Sequence, residues 1–163
     1  MITAIIGPMK SGKSEELRRI ANRYSYIKKK IQRIRSSIDD IDKTHGGEIK
    51  NGLKIDKLTG IDVSNYDVVL IDEGQFFPDL CSMCETWANA GKDVFVAALN
   101  ANWKREPFEQ VSKLLAKADK IVLLTALCAC GKDACFSKRL TEETDEIVVS
   151  DNYKPVCRKC YFQ

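Results

Sequence analysis

Histidine is almost missing from this chain of 163 residues, which has only His45. His45 lies beside Gly46 and Gly47 in a polar stretch and reads as a solvated loop residue rather than a ligand or base. Long apolar runs are missing too. None approaches the roughly 18 uncharged residues of a membrane span. The first residues, MITAIIGPMK, run at once into glycines and lysines, with neither a basic start nor a small-residue cleavage site, so no secretory signal is expected. A dominant sign of charge is absent: 26 Lys and Arg against 23 Asp and Glu leave +3, too little to announce nucleic-acid binding. Internal repeats and low-complexity segments are absent as well. The seven cysteines are an odd number, which disfavours a disulfide framework and raises metal and free-thiol readings.

What is present is globular. Hydrophobic residues make up 44% and charged residues 30%, which excludes wholesale disorder. The length fits one domain, or one domain with a small appendage. Apolar runs predict buried strands at Ile2 to Ile6, Asp67 to Ile71, Asp93 to Leu99 and Ile121 to Thr125. Ile31 to Arg35 is a weaker strand signal. Leu17, Ile20, Ala21, Tyr24 and Ile27 recur at helical spacing after the first strand. Phe77 to Gly91 and Phe108 to Ala118 predict two more helices, the first closed by its glycine. Residues 36–66 carry little readable pattern. Strands alternating with helices imply an α/β fold with a mostly parallel sheet covered on both faces. The texture changes near residue 125. We expect a nucleotide-binding α/β domain over 1–125 and a small cysteine-rich domain over 126–163, with one alternating strand at Glu146 to Ser150. The second is too short for its own hydrophobic core.

Gly7-Pro8-Met9-Lys10-Ser11-Gly12-Lys13-Ser14 fits G-x-x-x-x-G-K-[ST], the P-loop pattern, between a strand and a helix as the motif requires. Its glycines let backbone N–H groups turn inward around a phosphate. The helix that follows points its positive end at the anion. Lys13 would reach the β- and γ-phosphates of ATP, and the Ser14 hydroxyl would ligate Mg²⁺. Asp72 ends an apolar strand, where such folds place a second magnesium carboxylate. The plain alternative is a strand-end aspartate capping the next helix. Glu73 is adjacent. Side chains alternate along an extended backbone, so the two carboxylates diverge. One can hold the metal while the other accepts a proton from an attacking hydroxyl or water.

Cys128, Cys130, Cys157 and Cys160 form two close pairs that suit a tetrahedral, structural Zn²⁺ site. The first pair has one intervening residue where two is usual, and Cys135 is a fifth candidate that can pair with Cys130. Cys81 and Cys84 share a predicted helix face and read as core thiols. The basic run from Arg18 to Arg35 reads as a solvated helix face, with a nucleic-acid face as the alternative. Phe76, Phe77, Trp103 and Phe108 fall just beyond strand ends, where a flat ligand can stack.

Taken together, GPMKSGKS, IDEGQFFPD, ANAGKDVFVAAL, WKREPF, LTALC, SKRL and NYKPVCRKCYF resemble the cytosolic-type (type II) thymidine kinases over roughly three quarters of the chain. The resemblance implies a P-loop NTPase-like core with a small, zinc-ribbon-like lasso domain at the C-terminus. It implies transfer of the γ-phosphoryl of ATP to the 5′-hydroxyl of thymidine, with Mg²⁺ as cofactor and deoxyuridine as a second substrate to consider. Glu73 would take the hydroxyl proton. Gly7 through Ser14, Asp39, Asp72 and Gln75 would serve the nucleotide and its metal. Met9, Phe76, Leu99, Trp103, Phe108 and Ser137 would surround the nucleoside. Ile147, Val148, Val149, Ser150 and Tyr153 would form the flap over the base. Cys128, Cys130, Cys157 and Cys160 would hold zinc. The family also implies a cytoplasmic homotetramer inhibited by its end-product triphosphate, with no nucleic-acid or membrane partner.

Four positions depart from the family pattern. The first zinc knuckle is one residue short. The family's Asp-x-Arg stands here as Asp39-Asp40-Ile41, without the arginine. Trp103 replaces a smaller aromatic, and Asn100 an acid. Two other readings use the same residues: a nucleic-acid-stimulated ATPase with a zinc ribbon, and a nucleotide-binding member without activity.

Overall fold

The computed structural model describes residues 1–38, 52–141 and 152–163. Six strands make one sheet: β1 (Ile2–Gly7), β2 (Ile31–Ser36), β3 (Leu53–Ile55), β4 (Val68–Asp72), β5 (Asp93–Leu99) and β6 (Lys120–Leu123). Their order is β3-β2-β4-β5-β1-β6, and every pairing is parallel. Three helices flank the sheet: α1 (Lys13–Tyr26), α2 (Leu80–Asn89) and α3 (Glu109–Leu115).

Alternation along the strands sorts the core into two layers. Ile5, Val68, Leu70, Phe95 and Ala97 pack with Leu17, Ile20 and Ala21 of α1. Ala4, Ile6, Val69, Ile71, Val94 and Val96 face the other way. They pack with Leu80, Cys84 and Trp87 of α2 and with Val111 and Leu114 of α3. Strands covered on both faces must be apolar throughout, which is why β1 and β4 read as unbroken runs.

The structure shifts several predicted boundaries. The weak signal at Ile31 is a full strand, and β3 lies in the stretch that carried little pattern. Helix α2 starts at Leu80, not Phe77. Phe77 is extended (φ −91°, ψ 117°) and buried, as the residue before Pro78 tends to be. Asp79 does not cap the helix with its side chain. Its carboxylate instead accepts the N–H groups of Leu58 (3.1 Å) and Thr59 (2.7 Å). Helix α3 begins after Phe108, which is also extended. The run at Ile121 was expected to be buried. It is an edge strand bonded within the sheet to β1, and Ile121 and Leu123 are 50% and 63% exposed.

After β6 the chain makes two small hairpins and a turn of helix. β7 (Ala126–Leu127) pairs with β8 (Asp133–Ala134), and β9 (Phe136–Arg139) pairs with β10 (Tyr153–Val156), both antiparallel. Helix α4 (Arg158–Tyr161) follows. The buried cluster here is Cys128, Ala134, Val156 and Cys157. The strand predicted at Glu146 to Ser150 and the loop of His45 lie outside the described residues. Among the described residues, no helix is long and apolar enough to cross a membrane.

Candidate active site

Parallel strands bring their C-terminal ends to one edge, and the register there sets Gly7 beside Leu99 and Arg35 beside Asp72. The crevice outside that edge is where open α/β sheets bind ligands. Gly7 opens the loop between β1 and α1. A Cβ at this position would lie 2.5 Å from the Leu124 carbonyl oxygen and 2.7 Å from Ser11 Oγ, so no larger residue fits. Gly12 turns the chain into α1 at φ 83°, and no side chain caps that helix. The Ser11 hydroxyl is buried without a hydrogen-bond partner. Uncapped helical amides and an orphaned hydroxyl fit an anion that completes them.

Lys13 is buried and donates from Nζ to the Pro8 carbonyl at 2.8 Å. Burial pulls its ammonium below the usual value, while Glu73 and Asp72 oppose that shift. Ser14 Oγ donates to Asp72 Oδ1 at 3.1 Å, bridging the first turn of α1 and the end of β4. Burial, reinforced by Glu73, pushes the Asp72 carboxyl up to about 7. Two crowded carboxylates and a hydroxyl suit a hard divalent cation with oxygen ligands.

Glu73 adopts the left-handed region (φ 53°, ψ 45°), uncommon for a residue with a side chain. The 3-10 turn Gly74–Phe76 follows. A Cβ on Gly74 would meet Val96 Cγ1 at 2.7 Å, so the turn can sit this close to β5 only with glycine there. Gln75, expected among the nucleotide-binding positions, is bonded to Glu73 and to the end of β5. It donates from Nε2 to Glu73 Oε2 at 2.5 Å and accepts the Leu99 N–H on Oε1 at 3.0 Å. One amide therefore ties Glu73 to the end of β5.

The nucleoside positions divide. Met9 and Ser137 meet: the Met9 N–H donates to Ser137 Oγ at 3.0 Å, joining the glycine loop to β9. Tyr153 is buried opposite Arg139 and accepts from its Nε (3.0 Å) and Nη2 (2.6 Å). The Arg139 guanidinium lies 4.7 Å from the centre of the Trp103 ring. Phe76, in the 3-10 turn after β4, and Leu99, at the end of β5, are half-buried, whereas Phe108 packs on the main core. Asp39 and Ile147 through Ser150 lie outside the described residues. Sequence reading missed Arg105, Arg139 and Tyr161. The first two stand in WKREPF and SKRL, where a charge beside aromatic residues was the available signal.

The sulfurs of Cys128, Cys130, Cys157 and Cys160 lie within 4.8 Å of one another. Cys130 is 3.5 Å from Cys128 and 3.6 Å from Cys157. Zinc–sulfur bonds of about 2.3 Å put tetrahedral corners about 3.8 Å apart, so the spacing fits. Backbone N–H groups of Cys130 and Cys157 bring the Cys128 thiol down to about 6. Hydrogen bonds to the neighbouring sulfurs push Cys160 up to about 12. Four sulfurs this close would need a cation to be ionised together, and the cluster could hold a metal ion. Cys135 is exposed and stands outside the cluster. Cys81 and Cys84 are core thiols, and burial raises Cys84 far above its usual range. On α1, Arg19 pairs with Glu16 at 2.6 Å, so the basic helix face is partly neutralised.

A family model described as Thymidine kinase matches residues 1–161. The thymidine kinases of vaccinia virus (strain Western Reserve), sheeppox virus (strain KS-1) and myxoma virus (strain Lausanne) are 43%, 42% and 42% identical to this chain. The alignments cover 98%, 99% and 99% of this chain and 96% of each relative. The crevice and the thiol cluster both fall inside the matched span, and the chain belongs to the thymidine kinase family.

Proposed function

We propose that the chain transfers the γ-phosphoryl group of ATP to the 5′-hydroxyl of thymidine, with deoxyuridine as a second acceptor. The observation that carries this is the convergence of Lys13, Ser14, Asp72 and Glu73 at one sheet edge, in a chain of this family.

The loop from Gly7 to Ser14 cradles the phosphates through its amides, and Ser11 gains the partner it lacks. Lys13 leaves the Pro8 carbonyl for the phosphate oxygens. Ser14 and Asp72 hold Mg²⁺, which when bound spreads the charge of the transferring group. Glu73, aimed by Gln75, accepts the 5′-hydroxyl proton as O5′ bonds to the γ-phosphorus and the bond to ADP breaks. Met9, Phe76, Leu99 and Trp103 border the nucleoside, with Tyr153 and Ser137 behind them. Asp39 and the segment Ile147 to Ser150 are assigned by resemblance alone, to the nucleotide and to the flap over the base. Cys128, Cys130, Cys157 and Cys160 hold Zn²⁺, a closed and hence structural site that supplies the residues from 126 onward with a centre.

We read residues 126–163 as a unit apart from 1–125, and the working form as a homotetramer. Among the described residues β6 has no strand on its outer side, which supports self-association, and Ile121 and Leu123 on it and Leu127 on β7 are exposed by 50%, 63% and 71%. Seven free cysteines suit the reducing cytoplasm.

The test is product formation from ATP·Mg²⁺ with each of the four deoxynucleosides and deoxyuridine, detecting the monophosphate directly. Phosphorylation of thymidine well above the purine nucleosides is expected. ATP binding without any monophosphate would overturn the assignment. ATP hydrolysis stimulated by single-stranded nucleic acid instead would favour an ATPase.

A further inference from the structure

The loop between β5 and α3 carries Trp103 and is closed upon itself. Asn102, which is buried, accepts the N–H groups of Lys104 and Glu106 on its Oδ1, each at 2.9 Å. Its own N–H donates to the Glu106 carbonyl at 2.9 Å, and the Arg105 N–H donates to the Asn102 carbonyl at 3.0 Å. A loop bonded this way moves as one body. What holds that body in place therefore decides where Trp103 stands.

The hold comes from the far end of the chain. Tyr161 Oη donates to the Trp103 carbonyl at 2.6 Å. The Arg105 guanidinium sits among three rings of the cysteine-rich segment, 4.7 Å from Tyr161, 4.7 Å from Phe162 and 5.8 Å from Phe136. Those rings brace one another edge to face, Tyr161 against Phe136 at 5.8 Å and against Phe162 at 5.3 Å. Arg105 reaches them from a left-handed backbone (φ 66°), a conformation that persists where surrounding contacts over-determine it. Tyr161 follows Cys160 directly on α4, so a cation on the four thiols fixes the helix that bears it. Arg139 lies against the indole and is itself held by Tyr153, and both belong to this segment.

We propose that Arg105 and Tyr161 are positioning residues that fasten the Trp103 loop to the thiol-held C-terminal segment and thereby set nucleoside affinity. Among the described residues, the hydrogen bond and ring contacts of Arg105 and Tyr161 go to the Trp103 loop and the C-terminal segment, away from the glycine loop. Their loss weakens nucleoside binding and spares ATP binding and the chemical step. The proposal rests on the nucleoside kinase reading for its kinetic arm alone.

The experiment uses the full, metal-loaded chain labelled with 5-fluorotryptophan. The two tryptophans give two ¹⁹F resonances, and Trp103→Phe assigns them. Trp87, buried in the main core, serves as the fold control. In Tyr161→Phe and Arg105→Gln the Trp103 resonance moves or broadens while that of Trp87 stays. Chelating the metal from the parent protein displaces the same resonance, and chelation adds little in the double variant. In the same variants the thymidine KM rises about 3- to 10-fold, with kcat and the ATP KM within about twofold. Tyr161→Ala, which also loses the ring, exceeds Tyr161→Phe. If Trp87 moves in Arg105→Gln, Arg105→Lys decides, because it keeps the charge and loses the planar stack. A Trp103 resonance unmoved in both variants overturns the proposal, as does an equal rise in the KM of thymidine and ATP. The ¹⁹F comparison needs no nucleoside. A parent without turnover would therefore strike the kinase reading and leave the resonances to decide the fastening.

Discussion

Leu17, Ile20 and Ala21 close one face of the sheet, and α2 and α3 close the other with Leu80, Trp87, Val111 and Leu114. Among the described residues beyond Ala126, the apolar cluster is Cys128, Ala134, Val156 and Cys157, and two of those four are thiols. Apolar burial at about 25 cal/mol per Å² sustains the first region. The second has too little apolar area, and a metal that binds only the folded form would supply the difference as folding energy. The comparison also separates duties. The carboxylates stand at the end of a sheet strand and in the turn that follows it, while the cysteine-rich segment sets Arg139 against Trp103.

Leu17→Ala strikes the sheet where it is strongest. A fully buried leucine in a packed face costs about 2–5 kcal/mol when truncated. Denaturant titration should show that loss for the whole chain while bound metal per folded molecule is unchanged. Glu73→Gln isolates chemistry from architecture. Turnover should fall at least about a hundredfold, the size expected for losing a general base, with ATP binding and metal content retained. Unchanged turnover would remove Glu73 from the mechanism. Cys157→Ser does the converse. Metal analysis should drop from about one equivalent to none, and kcat/KM by tenfold or more, while the far-ultraviolet signal of the sheet persists. Loss of the sheet signal as well would show the two regions to be one cooperative unit.

A finer test uses pH. The Asp72 carboxyl is raised to about 7 from 3.8, so the folded chain binds this proton more tightly than the unfolded one. The stabilisation is complete below the unfolded value and is lost as pH rises through about 7. Asp72→Asn should flatten the thermal-stability profile across that window and, without Mg²⁺ at pH 8, melt above the parent. A profile unaffected by the substitution would mean that Asp72 is not the group responsible. The smallest change expected is in Cys135→Ser. That thiol is exposed and outside the cluster, so metal content and activity should stay within about twofold. Loss of metal there would reassign a ligand.

Periodicity and motif spacing revealed different parts of the molecule. β1, β4 and β5 were legible because a strand buried on both faces must be apolar at every position. β3 was not, since three residues on an edge need only one neighbour and little burial. The run from Ile121 misled for a related reason. An apolar sequence states what a strand can bury, and it remains silent on whether anything covers it. In the site, Lys13, Ser14, Asp72 and Glu73 were legible because phosphate and metal chemistry demand particular groups at particular spacings. The bonds of Gln75 to Glu73 and Leu99 were not legible, since that pairing depends on how close the turn comes to β5. Arg105 and Tyr161 lie within WKREPF and NYKPVCRKCYF, but no local pattern pairs them, because they stand 56 positions apart and only folding brings them together.

The amino-acid sequence alone thus determined the parallel α/β core, the glycine loop and the carboxylate pair. Each rests on local rules of burial, backbone freedom or ligand chemistry that act within a few residues. Tertiary structure decided the rest: which carboxylate the Ser14 hydroxyl meets, which side chain aims Glu73, and which rings enclose Arg105. Those pairings join strand ends and chain ends far apart in sequence. They are set by register, by helix placement and by the space left after the core has packed, which no local pattern encodes.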